Sequence, residues 1–145
     1  MMRALPQRLR SRTFLIVLIA VLVVVAAGVA LAVSRSSPGY RTVNAFVAGT
    51  PEPDGARVDL DTTLYVPEHT PAPAVLLAQG FGGDKTGLAG TAKTLAEHGY
   101  VVLAYTARGF GNSGGLIHFD SPDFEVRDAQ LLVDHLQSLP QVDKS

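Results

Sequence analysis

Two glycine-rich turns, each placed after a short apolar run, constrain this chain more than anything else in it. The first turn, Gln79-Gly80-Phe81-Gly82-Gly83, follows Ala74-Val75-Leu76-Leu77-Ala78. The second, Arg108 to Gly115 (RGFGNSGG), follows Tyr100-Val101-Val102-Leu103-Ala104-Tyr105. Short, continuous apolar runs bounded by glycine predict strands buried on both faces. Between the two turns, Leu88, Ala92, Leu95 and Ala96 stand at helical spacing within Gly87 to His98, and Gly99 stops the helix. Strand, turn, helix, strand, turn is the order of a parallel α/β sheet with its working loops at the strand C-terminal ends.

The flanking segments extend this pattern. Tyr40 to Val47 and Arg57 to Val66 alternate as strands, with Thr50 to Gly55 (TPEPDG) as the turn of an antiparallel hairpin. In the second strand Val58, Leu60, Thr62 and Leu64 share one face, while Asp59, Asp61 and Thr63 share the other, which predicts one wet side. The segment Pro67 to Pro73 holds three prolines and is a loop. A second helix is predicted over Asp123 to Leu139, with Ser121 as its cap, Pro122 at its first position and Pro140 ending it. Gln141 to Ser145 reads as a loop leading toward a further strand.

Ahead of this domain, 14–33 (FLIVLIAVLVVVAAGVALAV) carries no charge, and at about 1.5 Å per residue it is long enough for a bilayer core of roughly 30 Å. Arg3, Arg8, Arg10 and Arg12 precede it without any acid, which orients the N-terminus to the cytoplasm. Ala30-Leu31-Ala32 offers a signal-peptidase site, so secretion after cleavage is the competing reading. The length of the run favours an uncleaved anchor. The expected organisation is a basic cytoplasmic tip (1–13), a transmembrane anchor or signal core (14–33), a linker (34–39) and a truncated α/β domain (40–145).

Composition excludes several classes. Past Val33 the chain has eight Lys and Arg against thirteen Asp and Glu, an acidic balance that opposes nucleic-acid binding. It has no cysteine, and its four histidines lack ligand spacing, so neither a disulfide framework, a metal site nor a cofactor is expected.

The glycine turns admit several chemistries, and context separates them. A sharp turn after Ala78 leaves backbone N–H groups facing a pocket, and the N–H of Phe81 is the candidate donor of an oxyanion hole. Lys85-Thr86 suggests a phosphate loop, but Asp84 stands where that loop requires glycine. Gly109, Gly111 and Gly114 match G-x-G-x-x-G, yet no helix opens behind them. Gly111-Asn112-Ser113-Gly114-Gly115 matches the G-x-S-x-G of a nucleophile elbow. Arg108-Gly109-Phe110 intervenes before the motif, however, and the helix starts too late, at about Pro122.

The stretch Leu103 to Gly115 (LAYTARGFGNSGG) resembles the turn after strand four of the α/β-hydrolases, and more narrowly the X-Pro dipeptidyl-peptidase and cocaine-esterase group. The pattern there is approximately D-x-R-G-x-G-x-S-G-G, with Thr106 in place of the Asp. Ala74 to Gly83 resembles the same fold's strand three and oxyanion loop, with Gln79 where many relatives carry His. Asp123–Leu139 resembles the helix that precedes the nucleophile strand. The resemblance covers roughly Tyr40 to Ser145.

It implies the N-terminal half of an α/β-hydrolase sheet, with an antiparallel hairpin and then parallel strands with helices. It further implies a structural Arg108 bonding loop carbonyls or a carboxylate, and Phe81 as a catalytic contributor through its backbone. The nucleophile, acid and histidine of that family have no matching positions here. The expected protein is the N-terminal portion of an exported, membrane-anchored serine hydrolase acting on peptide, ester or amide bonds. An inactive exported binding module, or a gene remnant on the same scaffold, is the alternative.

Overall fold

The computed structural model describes residues 7–34 and 39–145, with side chains over 14–28 and 39–145. It divides into two compact units, Met1–Ser37 and Pro38–Ser145. In the first, helix α1 (Gln7–Ser34) takes in the whole apolar run. Its described large side chains from Phe14 to Val25 are exposed. Among the described residues no helix is long and apolar enough to cross a membrane. The side chains of the basic tip (1–13), of Ala30-Leu31-Ala32 and of linker positions 34–38 lie outside the described residues.

The second unit is a four-stranded sheet in the order β1-β2-β4-β3. Its strands are β1 (Tyr40–Ala48), β2 (Asp59–Pro67), β3 (Ala74–Ala78) and β4 (Val101–Tyr105). β1 and β4 both pair antiparallel with β2, and β3 pairs parallel with β4. Helix α2 (Ala89–Glu97), entered through a 3₁₀ turn at Lys85–Leu88, crosses from β3 to β4. Helix α3 (Glu125–Ser138) follows the long loop after β4. Alternation along β4 divides the core: Val101, Leu103 and Tyr105 pack with Leu132 and Leu136 of α3, whereas Val102 and Ala104 pack with Ala92 and Ala96 of α2.

Gly99 stops α2 as expected, and the geometry is a Schellman motif. At φ +89° it lets its own N–H reach Ala96 O (3.0 Å) and the Tyr100 N–H reach Leu95 O (3.1 Å).

Three expectations are corrected. β2 is not wet on one side: it lies between β1 and β4, and Asp61, Thr63 and Tyr65 are buried beneath Lys85 and α2. β3 is not covered on both sides, because β4 takes the central place and leaves β3 half-exposed at the edge. Its outer side begins to be paired before the strand itself: Ala72 forms a parallel bridge with Val142, with Ala72 N–H to Gln141 O and Asp143 N–H to Ala72 O at 2.9 Å each. Finally, Ser121 does not cap α3, which starts at Glu125 with Phe124 at the cap position and no side-chain cap bond. The Glu125 carboxylate turns back instead to accept the N–H groups of His118 (2.6 Å) and Ser121 (3.0 Å).

Candidate active site

Both glycine turns leave the sheet at neighbouring strand ends, since β3 and β4 are parallel and paired through Ala78 and Tyr105. In the first turn Gly82 adopts φ +79°, which a side chain disfavours, and the Gly83 N–H closes onto Gly80 O at 3.1 Å. The Phe81 N–H has no acceptor among the described residues, and its side chain is 77% exposed. The Asp84 carboxylate accepts the Thr86 N–H at 2.8 Å and so caps the 3₁₀ turn at Lys85–Leu88. The Thr86 hydroxyl, and then its N–H, hold that carboxyl below the usual range.

Thr106 joins the two turns. It is fully buried, and its hydroxyl oxygen accepts the Lys85 N–H at 3.0 Å. The Ser113 hydroxyl donates to Thr106 O (2.7 Å) and accepts the Asp61 N–H (2.8 Å), while the Gly114 N–H donates to Asp59 O (2.9 Å). Ser113 is therefore a strut from the loop to β2 and β4, with both hydroxyl functions engaged in the backbone. The literal G-x-S-x-G match is a structural turn.

Arg108 is buried and its guanidinium is filled with partners, as the resemblance implies. Nε donates to Asp128 Oδ2 (2.8 Å), Nη2 to Asp128 Oδ1 (3.0 Å) and to Thr50 O (2.6 Å), and Nη1 to Glu52 Oε1 (3.3 Å). Glu52 also accepts the Leu116 N–H (2.8 Å) and pairs with His118 Nε2 (2.8 Å). The Leu116 N–H, followed by His118, keeps the Glu52 carboxyl below its usual range. The Phe124 ring stacks on His118 with centroids 3.9 Å apart and meets the Arg108 guanidinium at 5.0 Å. In sequence Thr50 to Gly55 looks like a plain turn, and nothing local shows that Glu52 pins a loop more than sixty residues away.

Two cavities open beside the first turn. One of about 570 Å³ lies between the turns, bounded by Gly80, Asp84 and Gly111. The other, of about 210 Å³, is walled by Phe81, Phe110, Ile117 and Phe119. Phe81 meets Phe110 edge-on at 5.3 Å and stacks on Phe119 at 5.9 Å. Gln79 lines both cavities, and its amide nitrogen and oxygen are buried without a partner. In sequence Gln79 stands out only by occupying a position where many relatives of the resembled family carry His. Among the described residues no group of His, Asp and Glu side chains is arranged to hold a metal ion.

Comparison with known proteins places these features. The family profile described as serine aminopeptidase, S33, matches residues 69–143, from the loop before β3 to the bridge at Val142. The uncharacterized protein YcjY of Escherichia coli is 35% identical over 94 residues, which cover 61% of this chain and 31% of that one. PA2218 of Pseudomonas aeruginosa is 34% identical over 92 residues, covering 60% of this chain and 25% of the relative. The crystal structure of PA2218 aligns with a TM-score of 0.59 at 30% identity, over 74% of this chain and 34% of that one. The α/β hydrolase GrgF from Penicillium sp. sh18 aligns with a TM-score of 0.59 at 25% identity, over 72% of this chain and 35% of that one. The chain thus spans about a third or less of the length of the curated relatives it matches. Its sheet, its two glycine turns and the matched profile converge on one conclusion: the chain belongs to the serine aminopeptidase S33 family of α/β-hydrolases.

Proposed function

We propose that this chain is the N-terminal portion of an exported, membrane-anchored serine hydrolase that cleaves peptide, ester or amide bonds by acyl transfer. The observation that carries the reading is the Phe81 N–H, without an acceptor among the described residues, in a glycine turn at the C-terminal end of β3. A preorganised backbone donor there meets the oxygen of a tetrahedral intermediate as its charge develops. The serine, histidine and carboxylate would come from positions beyond those matched here, with the histidine as base and the carboxylate orienting it. The Arg108 turn also supports the narrower resemblance to the X-Pro dipeptidyl-peptidase and cocaine-esterase group, from which Gln79 departs by standing where many relatives carry His. Substrates would be small peptides or esters. Residues 14–33 would hold the protein in the cell membrane with its N-terminus cytoplasmic, or direct secretion if cleavage follows Ala32.

Fluorophosphonate labelling of the membrane fraction tests this. The expected result is a labelled serine within G-x-S-x-G on the polypeptide that carries this sequence. Phe81→Pro, which removes the N–H, should slow labelling by about 10²–10³-fold. A folded protein that resists the probe would instead favour a non-catalytic binding module. The engagement of Ser113 with Thr106 and of His118 with Glu52 already lends that second reading some support.

A further inference from the structure

We propose that β1 is an interaction edge for a second copy of this chain, pairing antiparallel with its own equivalent about a two-fold axis at Asn44. β1 ends the sheet, and its register with β2 runs unbroken from Tyr40 to Ala48. The bonds flanking the strand show which groups face β2: the Glu68 N–H donates to Gly39 O and the Gly49 N–H to Val58 O, at 2.9 Å each. In an antiparallel pair such hydrogen-bonded positions recur at every second residue. Odd-numbered residues from 39 to 49 therefore direct their backbone groups at β2. Tyr40, Thr42, Asn44, Phe46 and Ala48 direct theirs outward, and among the described residues nothing pairs with them there. Exposed edges are ordinarily blunted by lysine, proline, a bulge or a covering element. β1 (YRTVNAFVA) has none of these, and Arg41 is its single charge. Phe46 is 60% exposed on one face and Val43 41% on the other.

The sequence of the edge favours its own copy as the occupant. Centred on Asn44, the register sets Tyr40 of one copy against Ala48 of the other and Thr42 against Phe46, so every outward position finds a partner. Any shift of that register leaves some of them unpaired. Phe46 against Thr42 is an aromatic–β-branched pair, which adds to sheet stability. On the opposite face Arg41 meets Val47 and Val43 meets Ala45, so no like charges oppose. Asn44 meets itself. Its Oδ1 already accepts the Thr63 hydroxyl (2.6 Å) and Lys85 Nζ (3.4 Å), while its amide N–H groups have no acceptor among the described residues and can bond the other copy's amide. Charge selects the same place. Past Val33 thirteen acids stand against eight Lys and Arg, so two copies repel over most of their surfaces. β1 holds no acid, and Asp59 and Asp61 beside it on β2 are paired with Arg57 and Lys85. The inference does not depend on the hydrolase reading.

The test is position-specific crosslinking of the full chain, which has no cysteine of its own, with detergent micelles in excess over protein. Asn44→Cys and Ala48→Cys, both at exposed positions, are each treated with a short bismaleimide. At the two-fold axis the two copies of residue 44 stand about 5.5 Å apart between Cα atoms. Residue 48 faces Tyr40 of the other copy, so its two copies lie about 27 Å apart, eight residues at roughly 3.4 Å each. The covalent dimer should form at least about tenfold faster at 44 than at 48, because pairing makes the second reaction intramolecular. Thr42→Pro in the Asn44→Cys chain removes one outward N–H, leaves the bonds to β2 in place and should abolish the fast link. Thr42→Cys mixed with Phe46→Cys repeats the test with Asn44 intact: the mixture should link readily and each variant alone only slowly. Equal rates at 44 and 48 overturn the proposal and are what association through α1 or random encounter produces. No link at 44 and none in the mixture overturns it too, and is what association through the β3 edge alone produces. The ratio between positions 44 and 48 decides even where Thr42→Pro fails to fold.

Discussion

Arg108 and Asp128 form a buried two-pronged ion pair, Nε to Oδ2 at 2.8 Å and Nη2 to Oδ1 at 3.0 Å, that ties the glycine turn after β4 to the first turn of α3. The same carboxylate accepts the Thr50 N–H at 2.7 Å, so the β1–β2 turn joins the cluster. Gly49 stands so close that an added Cβ would lie 2.9 Å from Asp128 Oδ1. A planar guanidinium fork fits this geometry and a lysine ammonium does not. Asp128→Ala strands a buried guanidinium and should destabilise the domain by about 3–5 kcal/mol, and Arg108→Ala should do much the same from the other side. In urea unfolding the double variant should lose clearly less than the two single losses combined.

Ser113 is expected to be structural in every assay. Ser113→Ala removes an acceptor from the Asp61 N–H and a donor from Thr106 O, both at buried positions, and should destabilise by about 1–3 kcal/mol. Fluorophosphonate labelling per folded molecule should stay at the wild-type level. Abolished labelling with stability unchanged would make Ser113 the nucleophile after all.

The loop after β4 should loosen in acid before the sheet does. Glu52 is lowered from 4.5, first by the Leu116 N–H and next by His118. For Glu125 burial acts upward, but the N–H groups of His118, of Glu125 itself and of Ser121 outweigh it. A carboxylate lowered in the folded state stabilises fully above its unfolded pKa, and this contribution is lost as pH falls through the folded value. Hydrogen exchange, corrected for intrinsic rates, should therefore show Leu116 and His118 losing protection as pH drops below 4.5 while β4 keeps its own. Glu52→Gln should flatten the Leu116 response.

Gly109 is the glycine of the second turn least able to accept a side chain. At φ +74°, an added Cβ would stand 2.6 Å from Ile117 Cγ1 and 2.9 Å from the Ile117 backbone nitrogen. Gly109→Ala should destabilise by about 2 kcal/mol or more, combining left-handed strain with displacement of the Ile117 backbone. Gly87→Ala, where nothing lies within 4 Å, should be neutral or slightly stabilising in the same thermal unfolding.

Residues 40–145 on their own should associate through the outer edge of β3. Among the described residues that side carries only the bridge from Ala72 to Val142, leaving backbone donors and acceptors of Ala74 to Ala78 open. Open strand edges template pairing with other chains. Sedimentation should show concentration-dependent oligomers, and a lysine at exposed Ala78 should reduce them. A monomer across the concentration range would mean that this edge is too short to recruit another strand.

Much of this protein is determined locally, and that part was legible. Apolar runs bounded by glycine mark β3 and β4, and the helical spacing of Leu88, Ala92, Leu95 and Ala96 marks α2. Gly99 ends α2 because only a residue free of a Cβ takes that φ cheaply, and the left-handed Gly82 shapes the turn that presents Phe81. Each depends on neighbours a few positions away. The sheet order, by contrast, is a contest among strands for the central place, and β4 wins it because α2 and α3 cover both its faces. That contest buries Asp61 and Thr63, which alternation alone assigns to water. It also leaves β3 at the edge. The reach of Glu52 to Leu116, the seat of Arg108 between Asp128 and Thr50, and the unpaired amide of Gln79 depend on residues tens of positions apart meeting at one end of the sheet. The sequence by itself determined the strands, the turns and the α/β-hydrolase superfamily; only the tertiary structure decided which polar groups were taken out of water and left facing a cavity, because desolvation is set by what packs across the sheet and not by order along the chain.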